Sequence, residues 1–281
     1  MPRWNNHYNL PERKIRALSL PHKPKPNRIG VTELIDSPLI RAIKMAHWDE
    51  IVWDYSDFLQ ADEGTRLHTV AERASQCISG AETELALEQE VSAGGWTLAG
   101  RVDHFENGVI IDHKFAKVGY AQMHGKSLEQ QLNCYAWLLR TGGREVVGLE
   151  GDINLNNWDW RLATFGCPYP YPPIPYENIK VSLWSLGEQR AFILKRLEAH
   201  TLLAGSRCSD EERWACKPSY AVMRGERATA VRVCRTKEEA EQYLADKKVP
   251  DGWIQTRPGG SIRCKFWCRG IIEFCSYRDE K

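Results

Sequence analysis

The chain has 281 residues, of which 42% are hydrophobic and 27% charged, and its formal net charge is +1. This length can bury one sizeable core with a smaller accessory domain, and the near-neutral charge excludes a uniformly cationic protein, so any polyanion contact must be local. Because no run of roughly 18 apolar residues and no signal-peptide pattern occur, we expect no membrane span and a cytoplasmic location.

The chain begins with an arm that leads into helical patterns. Residues 1–30 are basic and contain Pro21, Pro24 and Pro26, so we predict that this segment forms little structure of its own. The spacing of apolar residues then predicts helices over 32–43, 45–60 and 64–80.

Near residue 84 the pattern changes from helices to strands. The later predicted elements are strands within 84–104 and over 108–115, a helix over 126–140, strands over 146–154 and 158–164, a helix over 183–204, and a small β-β-α pattern over 220–224, 228–234 and 236–247. This order predicts an α/β fold with a mixed central sheet flanked by helices. We divide the chain into the arm, a core over 31–205 and a cysteine-rich C-terminal lobe over 206–281 that contains the β-β-α insert.

One predicted hairpin concentrates catalytic residue types. Asn107-Gly108 is a strong turn signal between the strand with Asp103 and the strand with Asp112 and Lys114. Residues i and i+2 of a strand share a face, so Asp112 and Lys114 project together. Two carboxylates could hold Mg²⁺ or Mn²⁺, and the lysine could stabilise a developing negative charge, which suits phosphodiester hydrolysis. A surface salt bridge would use the same residue types.

Residues on two predicted helices could complete this site. His68 could add an imidazole ligand, which favours Mn²⁺ over Mg²⁺. Gln131 and Tyr135 stand one helical turn apart, so both could reach the metal site or a DNA backbone. Glu90, on the strand before Asp103, is a further candidate.

The cysteines of the C-terminal lobe suggest a second centre. Cys264, Cys268 and Cys275 lie close together in a loop-rich tail, as in metal or cluster sites. A fourth ligand is needed, and Cys208 is our first choice, with Cys216 as the alternative.

The ordered motifs Gly64-x-x-x-His68, Gly100-x-x-Asp103, Asp112-x-Lys114 and Gln131-x-x-x-Tyr135 resemble those of the PD-(D/E)xK nuclease superfamily, in its RecB-like branch. Residues 31–50 also resemble the start of phage-encoded relatives of CRISPR-associated exonucleases. The resemblance implies a restriction-endonuclease-like core that cleaves DNA with a metal.

The resemblance also implies roles for individual residues. It assigns His68, Asp103, Asp112 and the backbone carbonyl of His113 to the metal, Lys114 to catalysis, and Gln131 and Tyr135 to the edge of the active site. Similar proteins hold a 4Fe–4S cluster with one upstream and three C-terminal cysteines, which favours such a cluster over zinc. In many relatives the upstream cysteine precedes the histidine motif, whereas the first cysteine here, Cys77, follows His68.

We therefore predict a metal-dependent deoxyribonuclease, more specifically an exonuclease acting on single-stranded or duplex DNA ends. A role in phage recombination, replication or repair, with a recombination protein as partner, follows from the resemblance alone. The alternatives are a non-catalytic DNA-binding or assembly protein with this fold and an iron–sulfur redox protein. Candidate phosphate contacts are Lys117, Lys126, Arg140, Arg224, Arg227 and Arg232.

Overall fold

The structure is a computed structural model, and it describes residues 1–75, 77–91, 95–166, 170–202 and 207–277. The chain forms two compact units, Met1–Ser206 and Arg207–Lys281. Within the described ranges, no helix combines the length and the apolar character that crossing a membrane requires.

The first unit is a mixed α/β structure, as the sequence predicts. Its strands are β1 (Arg3–Asn5), β2 (Arg28–Gly30), β3 (Val52–Asp54), β4 (Glu82–Val91), β5 (Trp96–Glu106), β6 (Val109–Ala116), β7 (Gly148–Leu155) and β8 (Tyr176–Lys180). Its helices are α1 (Glu12–Ile15), α2 (Val31–Ile35), α3 (Pro38–His47), α4 (Leu59–Ser75), α5 (Tyr120–Thr141), α6 (Trp160–Phe165) and α7 (Leu186–Thr201). A 3₁₀ turn, Tyr55–Phe58, precedes α4.

The central sheet has six strands and mixed direction. Its order is β2-β5-β6-β7-β8, and β4 pairs with β5 outside this path. The pairs β2–β5 and β6–β7 are parallel, whereas β4–β5, β5–β6 and β7–β8 are antiparallel. Strand β4 pairs along nearly the whole of β5, while β2 and β6 pair with its beginning and its end.

Helix α5 supplies much of the core beside this sheet. It begins after Gly119, whose φ is 91°, and every residue from Gln131 to Leu139 is buried. Leu132 and Leu139 pack in one apolar cluster with Leu98, Val102 and Ile110 of the sheet. Each such side chain contributes about 1.5–3 kcal/mol relative to an exposed position, so α5 is fixed firmly against the strands that carry the candidate site.

Three segments differ from the sequence prediction. Residues 45–60 include β3, because Val52–Asp54 pairs in parallel with β1, a contact that local periodicity cannot reveal. The strand predicted over 158–164 is wrong: the Asp159 side chain accepts a hydrogen bond from the Arg161 backbone and caps α6. Residues 1–30, predicted to have little structure, contribute β1 and β2, which pair with β3 and β5.

The second unit is a small three-stranded sheet with a helix and a short tail. Its elements are β9 (Ala215–Cys216), β10 (Ser219–Arg224), β11 (Arg232–Cys234), α8 (Lys237–Lys247), β12 (Gly252–Arg257), β13 (Gly260–Ser261) and α9 (Ile262–Phe266). The β-β-α pattern appears as β10, β11 and α8, and β12 pairs with the other side of β10. Val222, Cys234 and Ala240 form its buried centre.

Candidate active site

A tight hairpin places the two candidate aspartates on neighbouring strands. Glu106 pairs with Val109 across the two-residue turn Asn107-Gly108, in which both residues have positive φ, 49° and 79°. Such a turn matches the twist of antiparallel strands. Asp103 therefore lies near the end of β5, and Asp112 lies in the adjacent strand β6.

Asp112 is the centre of a buried polar cluster. Its side chain is 2% exposed. The Gln131 amide donates a hydrogen bond of 2.8 Å to Asp112 Oδ1 and one of 3.3 Å to the Tyr135 hydroxyl. Lys114 Nζ lies 2.8 Å from Asp112 Oδ2. The structure thus brings four of the sequence-predicted residues together, and Gln131 links the helix to the strand.

Packing of the Tyr135 ring depends on the glycine of the motif Gly100-x-x-Asp103. A Cβ atom added at Gly100 would lie only 2.7 Å from Tyr135 Cε1. Because the ring occupies that space, glycine at this position lets α5 approach β5 closely. Helix α5 therefore packs directly on the backbone of β5 at Gly100, three residues before Asp103.

A second polar group surrounds Asp103. His68, on α4, places its Nδ1 3.3 Å from Asp103 Oδ2. One ligand atom each from His68, Glu84 and Asp103 lie within 4.8 Å of one another, so the three residues form a group that could hold a metal ion. Asp112 is not a member of this group, although it faces Asp103 closely enough to perturb its charge state.

Glu84 is the residue that the sequence analysis missed. It lies on β4 between Thr83, which pairs with His104, and Leu85, which pairs with Val102. Its φ of 51° is unusual for a residue other than glycine. The partners of Thr83 and Leu85 place residue 84 opposite Asp103, and only this pairing register identifies it. Glu90, the candidate considered instead, pairs with Thr97 near the other end of the hairpin.

The Asp103 group opens to solvent. A cleft of about 580 Å³ is lined by Ser19, Thr65, His68, Thr69, Glu72, Glu84, Arg101 and Asp103. Arg101 pairs with Glu84 at 3.3 Å. The cleft gives access to Asp103 from outside, whereas Asp112 is almost fully enclosed.

The electrostatics of the two carboxylates are coupled. Burial, followed by the negative charge of Asp112, raises the pKa of Asp103 to about 6, although His68 and Lys114 act in the opposite direction. Burial is the largest single influence on the pKa of Lys114 and lowers it, but the charge and hydrogen bond of Asp112, with smaller contributions from Tyr120 and Asp103, together outweigh burial and raise the pKa. Lys114 therefore stays protonated at neutral pH. Because the pKa of Asp103 is raised, a positive charge placed beside its carboxylate would favour the ionised form.

The donor set fits a divalent metal. Carboxylate oxygens suit Mg²⁺ and Mn²⁺, and an imidazole nitrogen adds preference for Mn²⁺. In the described part of the chain, the buried Asp112 Oδ2 accepts no well-directed hydrogen bond despite its ion pair with Lys114. The Lys114 ammonium already provides a cation beside this oxygen, so the fit to a metal rests on the open group of His68, Glu84 and Asp103.

His113 contributes through its backbone in this structure. Its N–H donates a 2.9 Å hydrogen bond to Asp103 Oδ2, which orients that carboxylate. Its imidazole ring faces the Asp152 carboxylate, with Nδ1 3.7 Å from Asp152 Oδ2. The carbonyl of His113 as a metal ligand stays a prediction.

A further residue of the site is Tyr120, at the start of α5. Burial raises the pKa of its hydroxyl, Lys114 lowers it and Asp112 raises it, so Tyr120 lies within electrostatic range of the Asp112–Lys114 pair. Arg140, in contrast, is used by the fold: its guanidinium donates to the backbone carbonyls of Trp184 and Val146. It is therefore a poor candidate for a phosphate contact.

The four predicted cysteines of the second unit interact electrostatically. Burial is the main reason that the pKa of Cys268 rises to about 12; Arg263 lowers it, and Cys264, Cys208 and Cys275 raise it further. Cys216 is not among these groups, and its thiol donates to the Gly260 carbonyl at 3.3 Å. Among the described residues, no three cysteine sulfurs all lie within 4.8 Å of one another.

Comparison with known proteins adds evidence on the fold. No protein-family model matches the sequence, and no curated protein matches it either. The solved structure of a protein called SSO0001 is similar with a TM-score of 0.51 and 19% identity, over 72% of this chain and 88% of that one. At this identity the likeness concerns the fold alone.

A second solved structure is more distant. It is a putative exonuclease from Eubacterium rectale, with a TM-score of 0.31 and 17% identity over 56% of this chain and 60% of that one. A TM-score this low supports no conclusion about the fold or the activity of the present protein.

Proposed function

We propose that the protein is a metal-dependent deoxyribonuclease that hydrolyses phosphodiester bonds. The observation that supports this most is that two polar groups meet at the β5–β6 hairpin: Asp103 with His68 of α4 and Glu84 of β4 in an open cleft, and the Asp112–Lys114 pair on the adjacent strand. A ligand set next to a protonated lysine is the arrangement that phosphoryl chemistry needs.

The residues of the chain have separate tasks in this proposal. His68, Glu84, Asp103 and Asp112 hold the metal, which when bound supplies a Lewis acid for the phosphate. Lys114 places a positive charge where negative charge develops on the phosphate oxygens. Gln131, through its hydrogen bond to Asp112 Oδ1, fixes the carboxylate that Lys114 and the metal share. Tyr135 in turn accepts a hydrogen bond from Gln131.

The choice of DNA as substrate and of exonuclease action rests on the motif order that resembles RecB-like nucleases. The same resemblance supports a role in phage recombination, replication or repair. The substrate is then the end of a single or duplex strand, and a recombination protein is the expected partner.

The cysteines support a structural centre in the second unit. We assign Cys208, Cys264, Cys268 and Cys275 to one 4Fe–4S cluster, because the charges of the other three all act on Cys268. The preference for a cluster over a tetrahedral zinc site follows from the resemblance to RecB-like nucleases.

Digestion of linear DNA labelled at its 5′ or 3′ end tests the activity. We expect cleavage with Mn²⁺ or Mg²⁺, no cleavage in EDTA, and losses of at least 100-fold in Asp112→Asn and Lys114→Ala. Glu88→Gln is a control, because Glu88 lies on β4 and pairs with Arg28 outside the site. Equal activity in all variants would refute the mechanism, and DNA binding without any cleavage would favour a non-catalytic protein.

A further inference from the structure

The cleft beside Asp103 carries an excess of negative charge. Its lining includes three carboxylates, those of Glu72, Glu84 and Asp103. Among the described residues that line it, Arg101 is the one permanently cationic side chain. With His68 neutral, the lining has a formal charge of −2, so an anionic substrate is repelled until the cleft gains positive charge.

Glu84 joins Arg101 to the candidate metal site. Arg101 Nη1 donates to Glu84 Oε2 at 3.3 Å. A carboxylate oxygen of Glu84 also lies within 4.8 Å of the ligand atoms of His68 and Asp103. All four residues line the same cleft, so one carboxylate faces both the arginine and the place that a metal ion would occupy.

Glu84 holds Arg101 only weakly. A charge-assisted N–H···O bond typically measures about 2.7–2.9 Å, whereas this single contact is 3.3 Å long. Arg28, by comparison, makes two contacts with Glu88 of the same strand. The Arg101 side chain is also 68% exposed, and exposed ion pairs contribute little to stability. The guanidinium can therefore leave Glu84 at small cost.

A metal ion in the cleft would change the partner of Arg101. A divalent cation bound to Glu84 neutralises the charge that attracts the guanidinium, and it also repels the guanidinium directly. The same ion raises the formal charge of the lining from −2 to zero, so an anion can enter. The planar guanidinium then matches two oxygens of a phosphate group.

We propose that Glu84 is a shared partner, through which metal binding releases Arg101 to contact a phosphate of the substrate. The metal consequently binds before the nucleic acid. The identity of the substrate, a phosphodiester strand, rests on the proposed function, whereas the link between Arg101 and the metal-binding residues rests on contacts within the first unit. The competing assignment is a permanent salt bridge in which Arg101 holds Glu84 in position.

Metal binding provides the first measurement. Full-length protein is treated with EDTA, dialysed and titrated with manganese chloride in a calorimeter. Arg101→Gln removes a cation that competes for Glu84, so we expect the Kd for Mn²⁺ to fall roughly fivefold. Arg101→Lys keeps the charge and should bind Mn²⁺ as the wild type does. A permanent salt bridge predicts the opposite sign, because its loss would leave Glu84 less well positioned and raise the Kd.

Nucleic-acid binding with and without metal provides the second measurement. A fluorescein-labelled 20-mer of thymidine with a phosphorothioate backbone, which resists cleavage, is titrated between 50 and 200 mM NaCl, and fluorescence anisotropy is recorded. Each phosphate contact on a single strand contributes about 0.7 to the slope of log K against log salt. We expect Arg101→Gln to reduce the slope by about 0.7 when Mn²⁺ saturates the protein. In EDTA, where Glu84 still holds Arg101, the slope should not change.

Arg28→Gln is the matched control, because Arg28 also pairs with a glutamate of β4, outside the cleft. It should change neither the Kd for Mn²⁺ nor the slope. An unchanged Kd or an unchanged slope in Arg101→Gln would overturn the proposal, and so would a loss of slope that is equal with Mn²⁺ and in EDTA. Both expected changes without cleavage of unmodified DNA would count against the proposed nuclease function alone.

Discussion

Glu84 provides the sharpest test of the candidate metal site, because the sequence motifs do not include it. In Glu84→Gln the side chain keeps its size and loses its charge. Its ligand atom lies within 4.8 Å of those of His68 and Asp103, so a bound ion would lie about 2–3 Å from each of them. We expect Mn²⁺ to bind more weakly without changing the fold.

The size of the effect follows from charge and exposure. Two unit charges about 4 Å apart interact with about 1 kcal/mol in water and about 4 kcal/mol near a protein surface, and a divalent ion doubles these values. The Glu84 side chain is 28% exposed, and the ion also loses hydration, so we take the lower part of this range. A loss of about 2–3 kcal/mol corresponds to a Kd for Mn²⁺ that is roughly 30- to 150-fold higher.

Isothermal titration calorimetry with Mn²⁺ measures this change directly, and the free Mn²⁺ signal in electron paramagnetic resonance checks it. Glu88→Gln is the matched control, because Glu88 is also a glutamate on β4 with an arginine partner. We expect its Kd to stay within twofold of the wild type. If Glu84→Gln binds Mn²⁺ as tightly as the wild type, Glu84 is not a ligand and the metal is held differently.

Three other predictions concern packing, pH and the cysteines. Gly100→Ala should lower the free energy of unfolding, measured in urea, by about 1–3 kcal/mol through overpacking. Gly64→Ala is the control, because an added Cβ there meets nothing within 4 Å and should not lower it. Similar values for the two variants would refute the close approach of α5 to Gly100. Because burial and a neighbouring charge raise the pKa of Asp103 from 3.8 to about 6, its ionisation costs stability above pH 6 and nothing below pH 4. In EDTA, Asp103→Asn should gain stability relative to the wild type as pH rises from 4 to 7, by at most about 3 kcal/mol, and a pH-independent difference would contradict this. Anaerobically purified protein should absorb near ~400 nm, Cys268→Ser should lose this band and Cys216→Ser should keep it; a colourless, zinc-loaded wild type would exclude the cluster.

Local sequence signals predicted the parts of the site that lie within single elements or a tight turn. Asn107-Gly108 predicted the turn of the β5–β6 hairpin, and the spacing of Gln131 and Tyr135 predicted that both lie on one face of a helix. Such features depend on a few consecutive residues, so a pattern of residue types is enough to predict them.

The remaining parts depend on contacts between distant segments. Strand β3 exists because it pairs with β1, some 50 residues away in sequence, and its residues fit a helical pattern equally well. Glu84 is brought to Asp103 by strand pairing, and the glutamates of β4 are chemically alike. Residue type alone could not distinguish Glu84 from Glu90; only the register of the β4–β5 pair could.

The left-handed backbone at Glu84 has a consequence for β4 as a whole. Among the described strands β4 pairs only with β5, so its other side is a free edge of ten residues. A long, regular edge invites pairing with another chain, and proteins resist this with irregular backbone and charged side chains. In β4 the regular pairing is interrupted at Glu84, and the strand also carries Glu82, Glu88 and Glu90. The feature that turns a carboxylate toward Asp103 thus also protects the sheet from aggregation through its edge.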